Sequence, residues 1–296
     1  MSRPIVTHTD SVATLRSAAN SSGGWGYYRG KSSRIEPTCW ALFALSAAGR
    51  SDLEMHRRFL LACQRDSGLL VEQTALPVNF AFNALALIAM LRYRAEFGDA
   101  PLRRLHDALV KHKGEGAGPS PIFRQNNALQ GWSWVEGTFS WLEPTSFGLL
   151  ALKIARAAGL QSSEADARID EAERLLIDRC CRNGGWNYGN ANAFGKDLIP
   201  HLPTTALALL AMQNRRDVAE VQKSLAYLEA QWPKESSTIG LGLTTICLRR
   251  HAKETEQVTR RLGDHMPIAE SLGNLHALAV AHCAMLPPDQ HDVFTV

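Results

Sequence analysis

Residues 36–45, Glu-Pro-Thr-Cys-Trp-Ala-Leu-Phe-Ala-Leu, return at 143–152 as Glu-Pro-Thr-Ser-Phe-Gly-Leu-Leu-Ala-Leu, with six of ten positions identical. A Gly-Trp pair precedes each copy, and a third version runs from Gly184-Gly185-Trp186 through Leu202-Pro203-Thr204-Thr205 to Met212. An internal repeat of this kind indicates a chain built from copies of one supersecondary unit. The unit is a helix, a loop rich in Gly and Trp, a Pro-Thr start and a second helix that is apolar throughout.

Two kinds of helix alternate along the sequence. One kind is amphipathic, with apolar residues at three- and four-residue spacing, so it buries one face and exposes the other. It occurs at 9–19, 52–65, 102–112, 169–181, 216–231 and 257–264. The other kind has no charged face, so neighbouring elements must cover it on both sides. It occurs near 38–48, 79–91, 145–157, 204–213, 239–250 and 271–285.

Pairing each amphipathic helix with the apolar helix after it gives six hairpins. An open stack of hairpins would need a polar terminal repeat to cap its end, and the last repeat is as apolar as the middle ones. We therefore expect an all-α fold, an α6/α6 toroid in which a double ring of six helical hairpins forms a single domain over residues 1–296. Pro37, Pro144 and Pro203 agree with this, because a proline in the first helical turn loses no hydrogen bond.

Composition excludes several classes of protein. The 32 basic residues are interspersed with 29 acidic ones, so no basic face for nucleic acid is expected. The longest apolar run, 80–91, is too short to span a bilayer and contains Asn83. The six cysteines lie in helical patterns, and the N-terminus lacks the apolar stretch of a signal peptide. We expect a cytoplasmic protein with no nucleic-acid partner and no transmembrane segment.

The repeat also resembles a known family. The Gly-Gly-Trp-Gly loop, followed by polar residues and Pro-Thr-x-x-Ala-Leu-x-Ala-Leu, is similar to the repeats of squalene–hopene cyclases and protein prenyltransferase β subunits, best at 23–48, 131–155 and 184–212. The resemblance implies an α6/α6 barrel whose central cavity accepts isoprenoid chains. The catalytic motifs of that family are absent. No Asp-x-Asp-Asp occurs, and Glu36-Pro-Thr-Cys39 has the wrong spacing for the prenyltransferase zinc ligands, whose histidine position falls near Pro203.

Four residues are candidates for catalysis. Glu36 and Glu143 precede prolines at the starts of apolar helices, where they are expected at the mouth of the barrel. Burial there could keep one carboxyl protonated, whereas the alternative is a favourable interaction with the helix dipole. Asp197 and His201 lie in the long loop before the fourth apolar helix, where they are either a general base or metal ligand, or ordinary surface residues.

The tryptophans fall into two groups. Trp25, Trp132 and Trp186 recur in each Gly-Trp loop, so we expect them to pack one hairpin on the next. Trp134 and Trp141 have no counterparts in the other loops, which favours a role in ligand binding. The predicted ligand contacts are Trp134, Trp141, Trp40 and Tyr188.

The sequence leaves three functions open. The first is a terpenoid-cyclase- or prenyltransferase-like toroid that binds an apolar, isoprenoid-type molecule in a central cavity, with no cofactor and no metal. The second is a non-catalytic scaffold that binds a protein partner through the rim loops 114–143 and 182–202, since long loops in a compact fold are often functional. The third is a carbohydrate-active toroid, which requires paired carboxylates beside aromatic residues, as Glu36 and Glu143 could provide.

Overall fold

A computed structural model describes residues 8–45, 53–72, 76–287 and 292–296. Within these ranges the chain forms an inner and an outer ring of α-helices. The outer helices are α1 (His8–Ser17), α3 (Leu53–Cys63), α6 (Asp99–Lys111), α8 (Ser163–Asp178), α10 (Ala219–Gln231) and α12 (Glu256–Ser271). The inner helices are α2 (Ile35–Ala44), α4 (Phe80–Arg92), α7 (Leu142–Ala157), α9 (Leu202–Ala211), α11 (Thr238–Arg250) and α13 (Leu275–Met285). A short helix, α5 (Arg94–Phe97), follows α4, and β1 (Asn192–Ala193) pairs antiparallel with β2 (Lys196–Asp197).

The inner helices form a closed ring. Each packs against the next in chain order, and α13 packs against α2. Backbone hydrogen bonds complete the closure between the first and last hairpins. Leu275 N donates to Tyr27 O at 2.9 Å, and Arg29 N donates to Gly273 O at 2.9 Å. The predicted all-α toroid is therefore confirmed, whereas the extent of a single domain over 1–296 stays a prediction.

The last hairpin differs most from the sequence prediction. Its outer helix continues to Ser271 through Pro267, and its inner helix begins at Leu275 and not at 271. Gly273 adopts a left-handed φ of 63° and breaks the chain direction, and the Asn274 side chain then caps α13 by accepting from Ala277 N at 3.0 Å. The predicted end of the first inner helix, 46–48, lies outside the described residues.

The repeated tryptophans join the two rings, as the sequence predicts. The backbone N of each Trp donates to a threonine hydroxyl on the following inner helix, and its indole N–H donates to a carbonyl of the preceding outer helix. We call these Trp–Thr pairs the staples. The distances are 3.0 and 2.7 Å for Trp25 (to Thr38 and Leu15), 3.1 and 3.0 Å for Trp132 (to Thr145 and Leu109), and 2.9 and 2.7 Å for Trp186 (to Thr205 and Leu176).

The second hairpin uses a variant of the staple. Asn83 occupies the threonine position of α4, where it accepts from Leu70 N at 2.7 Å and donates to Leu70 O at 3.0 Å. The glycines before the staples allow the next outer helix to come close. A Cβ on Gly23, whose φ is 90°, would lie 2.1 Å from Met55 O, and one on Gly184 would lie 2.6 Å from Lys223 O.

Aromatic side chains fill the part of the lumen toward the ends of the inner helices. Trp40 and Phe43 lie one turn apart on α2, and Phe294 of the C-terminal segment packs on both rings with centroids 5.5 and 5.3 Å away. Trp40 and Phe294 are each only 2% exposed. Gln213 donates to Phe294 O at 2.7 Å, which holds the segment in place. Among the described helices, none combines the length and the apolar character that crossing a membrane requires.

Candidate active site at the mouth of the ring

The second residue of each inner helix occupies an equivalent position at one end of the ring. These residues are Glu36, Ala81, Glu143, Pro203, Ile239 and His276, and we call this layer the mouth. All but Ala81 are partly exposed, although each is flanked in the helix by side chains that are mostly buried. The mouth is therefore a partly exposed layer at one end of the ring, and it carries two carboxylates and an imidazole above a buried, mostly apolar interior.

Two contacts fix the carboxylate of Glu36. The Tyr27 hydroxyl donates to Oε2 at 2.6 Å, and His276 Nε2 lies 3.7 Å from Oε1. The start of α2 is itself held by Glu72, whose carboxylate accepts from Ile35 N at 2.6 Å and pairs with Arg34. Glu36 is thus held in one position by groups from three separate segments of the chain.

The second carboxylate, Glu143, lies in a less polar environment. Burial raises its pKa, and the negative charge of Glu36 raises it further. The Thr204 hydroxyl opposes this by donating to Oε1 at 3.1 Å. The two carboxylates therefore interact electrostatically, and the pKa of Glu143 lies above its ordinary value.

The groups around Glu36 also have shifted pKa values. Burial, and then the charge of Glu36, raises the pKa of Tyr27 far above its usual range, so its hydroxyl stays protonated and can donate. Burial lowers the pKa of His276, although the nearby Glu36 opposes that shift. The mouth thus combines a carboxyl group whose pKa is raised, Glu143, with a second carboxyl group, Glu36, that accepts a hydrogen bond from a neutral donor.

The predicted residues Asp197 and His201 lie in different places. Asp197 lies in the exposed strand β2. Asn192 and Arg182 donate hydrogen bonds to its carboxylate at 3.1 and 3.3 Å, and they lower its pKa. His201 is the residue directly before α9, and its ring packs against Tyr188 with centroids 4.6 Å apart. Tyr188 O accepts from Leu142 N at 3.0 Å, which puts both rings beside the start of the helix that carries Glu143.

The predicted ligand-binding tryptophans also differ in their surroundings. Trp40 is buried below the mouth, with its ring 6.4 Å from that of His276. Trp134 packs partly on the core, and its carbonyl accepts from Phe80 N at 3.1 Å. Trp141 is 41% exposed and lies directly before α7, so it borders the mouth. Ligand contact by these residues stays a prediction.

Tyr27, Thr204 and the pairing of His276 with Glu36 are features of the mouth that the sequence did not predict. A signal for His276 was present, because it stands at the same helical position as Glu36 and Glu143. That equivalence requires the exact starts of the inner helices, and the weak repeat beyond residue 217 does not define them. Tyr27 and Thr204 reach the carboxylates only through the tertiary fold.

The sequence matches no protein family and no curated protein. Solved structures with the same fold include a novel α-amylase from Clostridium perfringens, with a TM-score of 0.63 and 11% identity over 95% of this chain and 99% of that one. A family 76 α-mannanase from Bacteroides thetaiotaomicron gives 0.61 and 13%, covering 94% and 92%. An unsaturated glucuronyl hydrolase specific for heparin gives 0.57 and 11%, covering 96% and 95%. At these identities the likeness is one of fold.

These findings correct the family assignment made from the repeat. Several solved structures similar to this chain are named as glycoside hydrolases, and its interpretation as a member of the prenyltransferase and squalene–hopene cyclase family is wrong. The physical reason is the staple. The Gly-Trp and Pro-Thr signals join one helical hairpin to the next, so they report the toroid and carry no information about its ligand. The isoprenoid ligand loses its support with the family.

Proposed function

We propose that the mouth is the active centre of a glycoside hydrolase, with Glu143 as the general acid and Glu36 as the second carboxylate. One observation carries the proposal: two carboxylates stand at equivalent positions of α2 and α7, and their environments differ. Most glycoside hydrolases use two such carboxyl groups, one protonated and one ionised, on either side of the scissile bond. A raised pKa at Glu143 suits the acid.

The reaction follows from these roles. Glu143 transfers its proton to the glycosidic oxygen while the bond from that oxygen to the anomeric carbon breaks. Glu36 then stabilises the positive charge that develops on the sugar ring. In one route Glu36 accepts a proton from the attacking water, which inverts the anomeric configuration. In the other, Glu36 attacks the anomeric carbon to form an ester, and water deprotonated by Glu143 then hydrolyses that ester, which retains the configuration. The anomer formed first, observed by NMR, distinguishes the two routes.

Neighbouring groups support the role of Glu36. The Tyr27 hydroxyl donates to Oε2 at 2.6 Å, and the other oxygen, Oε1, lies 3.7 Å from His276 Nε2, so the carboxylate is held in place for a substrate. Aromatic side chains at the rim, Trp141 and Tyr188, are 41% and 54% exposed. Pyranose rings have an apolar face that packs on such rings. The fold is also shared with structures named as an α-amylase and an α-mannanase, which favours this reading over an apolar ligand.

The experiment is a screen for reducing sugar released from neutral oligosaccharides, repeated with Glu143→Gln and Glu36→Gln. Each variant is expected to lose at least about 100-fold in kcat, because general acid–base catalysis typically contributes a factor of that size or more. Glu256→Gln, on the first turn of the outer helix α12, is the matched control and should keep full activity. Hydrolysis that survives both mouth variants would reject these roles.

A protein-interaction scaffold is the second candidate, and one observation favours it. Phe194 and Ile199, in the loop 182–202, are 77% and 78% exposed, which is unusual for large apolar side chains. A photoreactive residue at position 194 should then cross-link one protein reproducibly, and Ile199→Ser should abolish that product. The hydrolase proposal does not predict that Ile199→Ser abolishes a cross-linked product.

A further inference from the structure

Beside the mouth, the loop 114–141 and the beginning of the loop 182–202 enclose a second cleft. Its volume is about 350 Å³. Aromatic rings and side-chain amides line it together, among them Phe123, Phe139, Trp141, Gln125, Asn127 and Asn190. Apolar surface with a few convergent polar groups is the usual form of a small-molecule site.

The amide of Gln125 links the two loops. Its Nε2 donates to Asn127 Oδ1 at 3.1 Å and to Asn190 Oδ1 at 2.6 Å. Its Oε1 is buried and accepts from no donor in the part of the chain that the structure describes. A buried acceptor without a partner is unfavourable, so a ligand that donates a hydrogen bond, such as a hydroxyl, would be stabilised here.

Charges in the cleft disfavour an anionic ligand. Arg179 is buried, donates to Asn126 O at 3.2 Å and lies 3.5 Å from the carboxylate of Asp178. Glu115 places a carboxylate in the lining of the cleft. With its guanidinium already paired, the cleft suits a neutral molecule that carries hydroxyl groups.

The aromatic residues connect this cleft with the mouth. Phe139 is 62% exposed, and Trp141 lines the cleft while standing two residues before Glu143. The backbone N of Trp141 donates to Trp132 O at 3.0 Å, which joins the cleft wall to a staple. A chain of sugar units that reaches Glu143 would therefore extend across Trp141 toward Phe139.

We propose that this cleft is a distal binding site for a neutral pyranose unit of the same chain that is cleaved at the mouth, so that the substrate is an oligosaccharide longer than a disaccharide. This inference rests on the proposed hydrolase function. Phe139 provides the stacking surface, and Gln125 Oε1 accepts a hydrogen bond from a sugar hydroxyl.

The test compares Phe139→Ala with Leu272→Ala, because Leu272 is an exposed apolar residue outside the cleft lining with a similar exposed fraction, 66% against 62%. The probes are neutral manno-, malto- and xylo-oligosaccharides of two and five units. In Phe139→Ala, the ratio of kcat/KM for the pentasaccharide to that for the disaccharide should fall about three- to tenfold, mainly through KM. In Leu272→Ala the ratio should equal that of the wild type. An equal ratio in Phe139→Ala would overturn the distal site while leaving hydrolysis at the mouth intact.

Calorimetry on the Glu143→Gln background separates the two proposals. In the double variant with Phe139→Ala, pentasaccharide binding that is three- to tenfold weaker supports the distal site. It does so even if the wild type hydrolyses nothing, a result that would reject the hydrolase proposal. Hydrolysis by the wild type without any chain-length preference would reject the cleft alone.

Discussion

The staple threonines and the mouth residues lie two positions apart on the same inner helices, and they differ in how far their contacts repeat from one hairpin to the next. At the staple, Thr38, Thr145 and Thr205 repeat one residue and one hydrogen bond. At the mouth, the equivalent residues are Glu36, Glu143 and Pro203, and they share no contact pattern. The staple keeps one residue and one contact in all three hairpins, whereas the mouth residues differ in their contacts and carry the candidate chemistry. Variants at both positions can separate stability from function.

The largest effect on stability is expected at a staple tryptophan. Trp132→Ala removes a fully buried indole and its hydrogen bond to Leu109 O, so the free energy of unfolding should fall by about 3–5 kcal/mol. Urea unfolding followed by circular dichroism measures it. Trp141→Ala, at the exposed edge of the mouth, is the control and should change the free energy little. Equal losses in both variants would contradict the division between staple and mouth.

Two adjacent threonines, Thr204 at the mouth and Thr205 at the staple, provide the most direct comparison of the two layers. Thr205→Val leaves the backbone N of Trp186 without its buried acceptor, so the free energy of unfolding should fall by about 1–3 kcal/mol. The pH dependence of activity should not move. Urea unfolding and a pH–rate profile on the same preparation check both statements.

Thr204→Val is expected to have the opposite pattern of effects, on the pH dependence of activity and not on the free energy of unfolding. It removes the hydrogen bond that lowers the pKa of Glu143, so that pKa should rise. If Glu143 is the acid, kcat/KM falls as pH rises through this pKa, and the falling limb should move to higher pH. A limb that moves in Thr205→Val and not in Thr204→Val would contradict the assignment.

The smallest effect concerns stability and pH. Because the folded-state pKa of Glu143 is raised, the folded protein binds this proton more tightly than the unfolded chain does. Its contribution to stability is present at low pH and is lost as pH rises from about the ordinary value of 4.5 through the raised one. Glu143→Gln should therefore gain stability relative to wild type at pH 7 and not at pH 4, as paired thermal unfolding curves would measure.

The sequence predicted the architecture because the fold depends on local patterns. Charge-free inner helices and the Gly-Trp loops are visible in the residues themselves, and the structure places Trp25 and Trp186 in the predicted packing role. The contacts of the carboxylates at the mouth were not predictable in the same way. The contact of Tyr27 with Glu36 and that of Thr204 with Glu143 join separate segments, and each depends on how the hairpins pack. The family resemblance failed for a related reason, since its motif consists of packing residues.

The central claim is that Glu36 and Glu143 act as one pair across the mouth. It is tested most directly by measuring the pKa of Glu143 with ¹³C NMR in the wild type, in Glu36→Gln and in Glu256→Gln. The account predicts a raised pKa in the wild type, a lower value in Glu36→Gln because the neighbouring negative charge is gone, and no change in Glu256→Gln. A Glu143 pKa that is the same in Glu36→Gln as in the wild type would contradict the pairing.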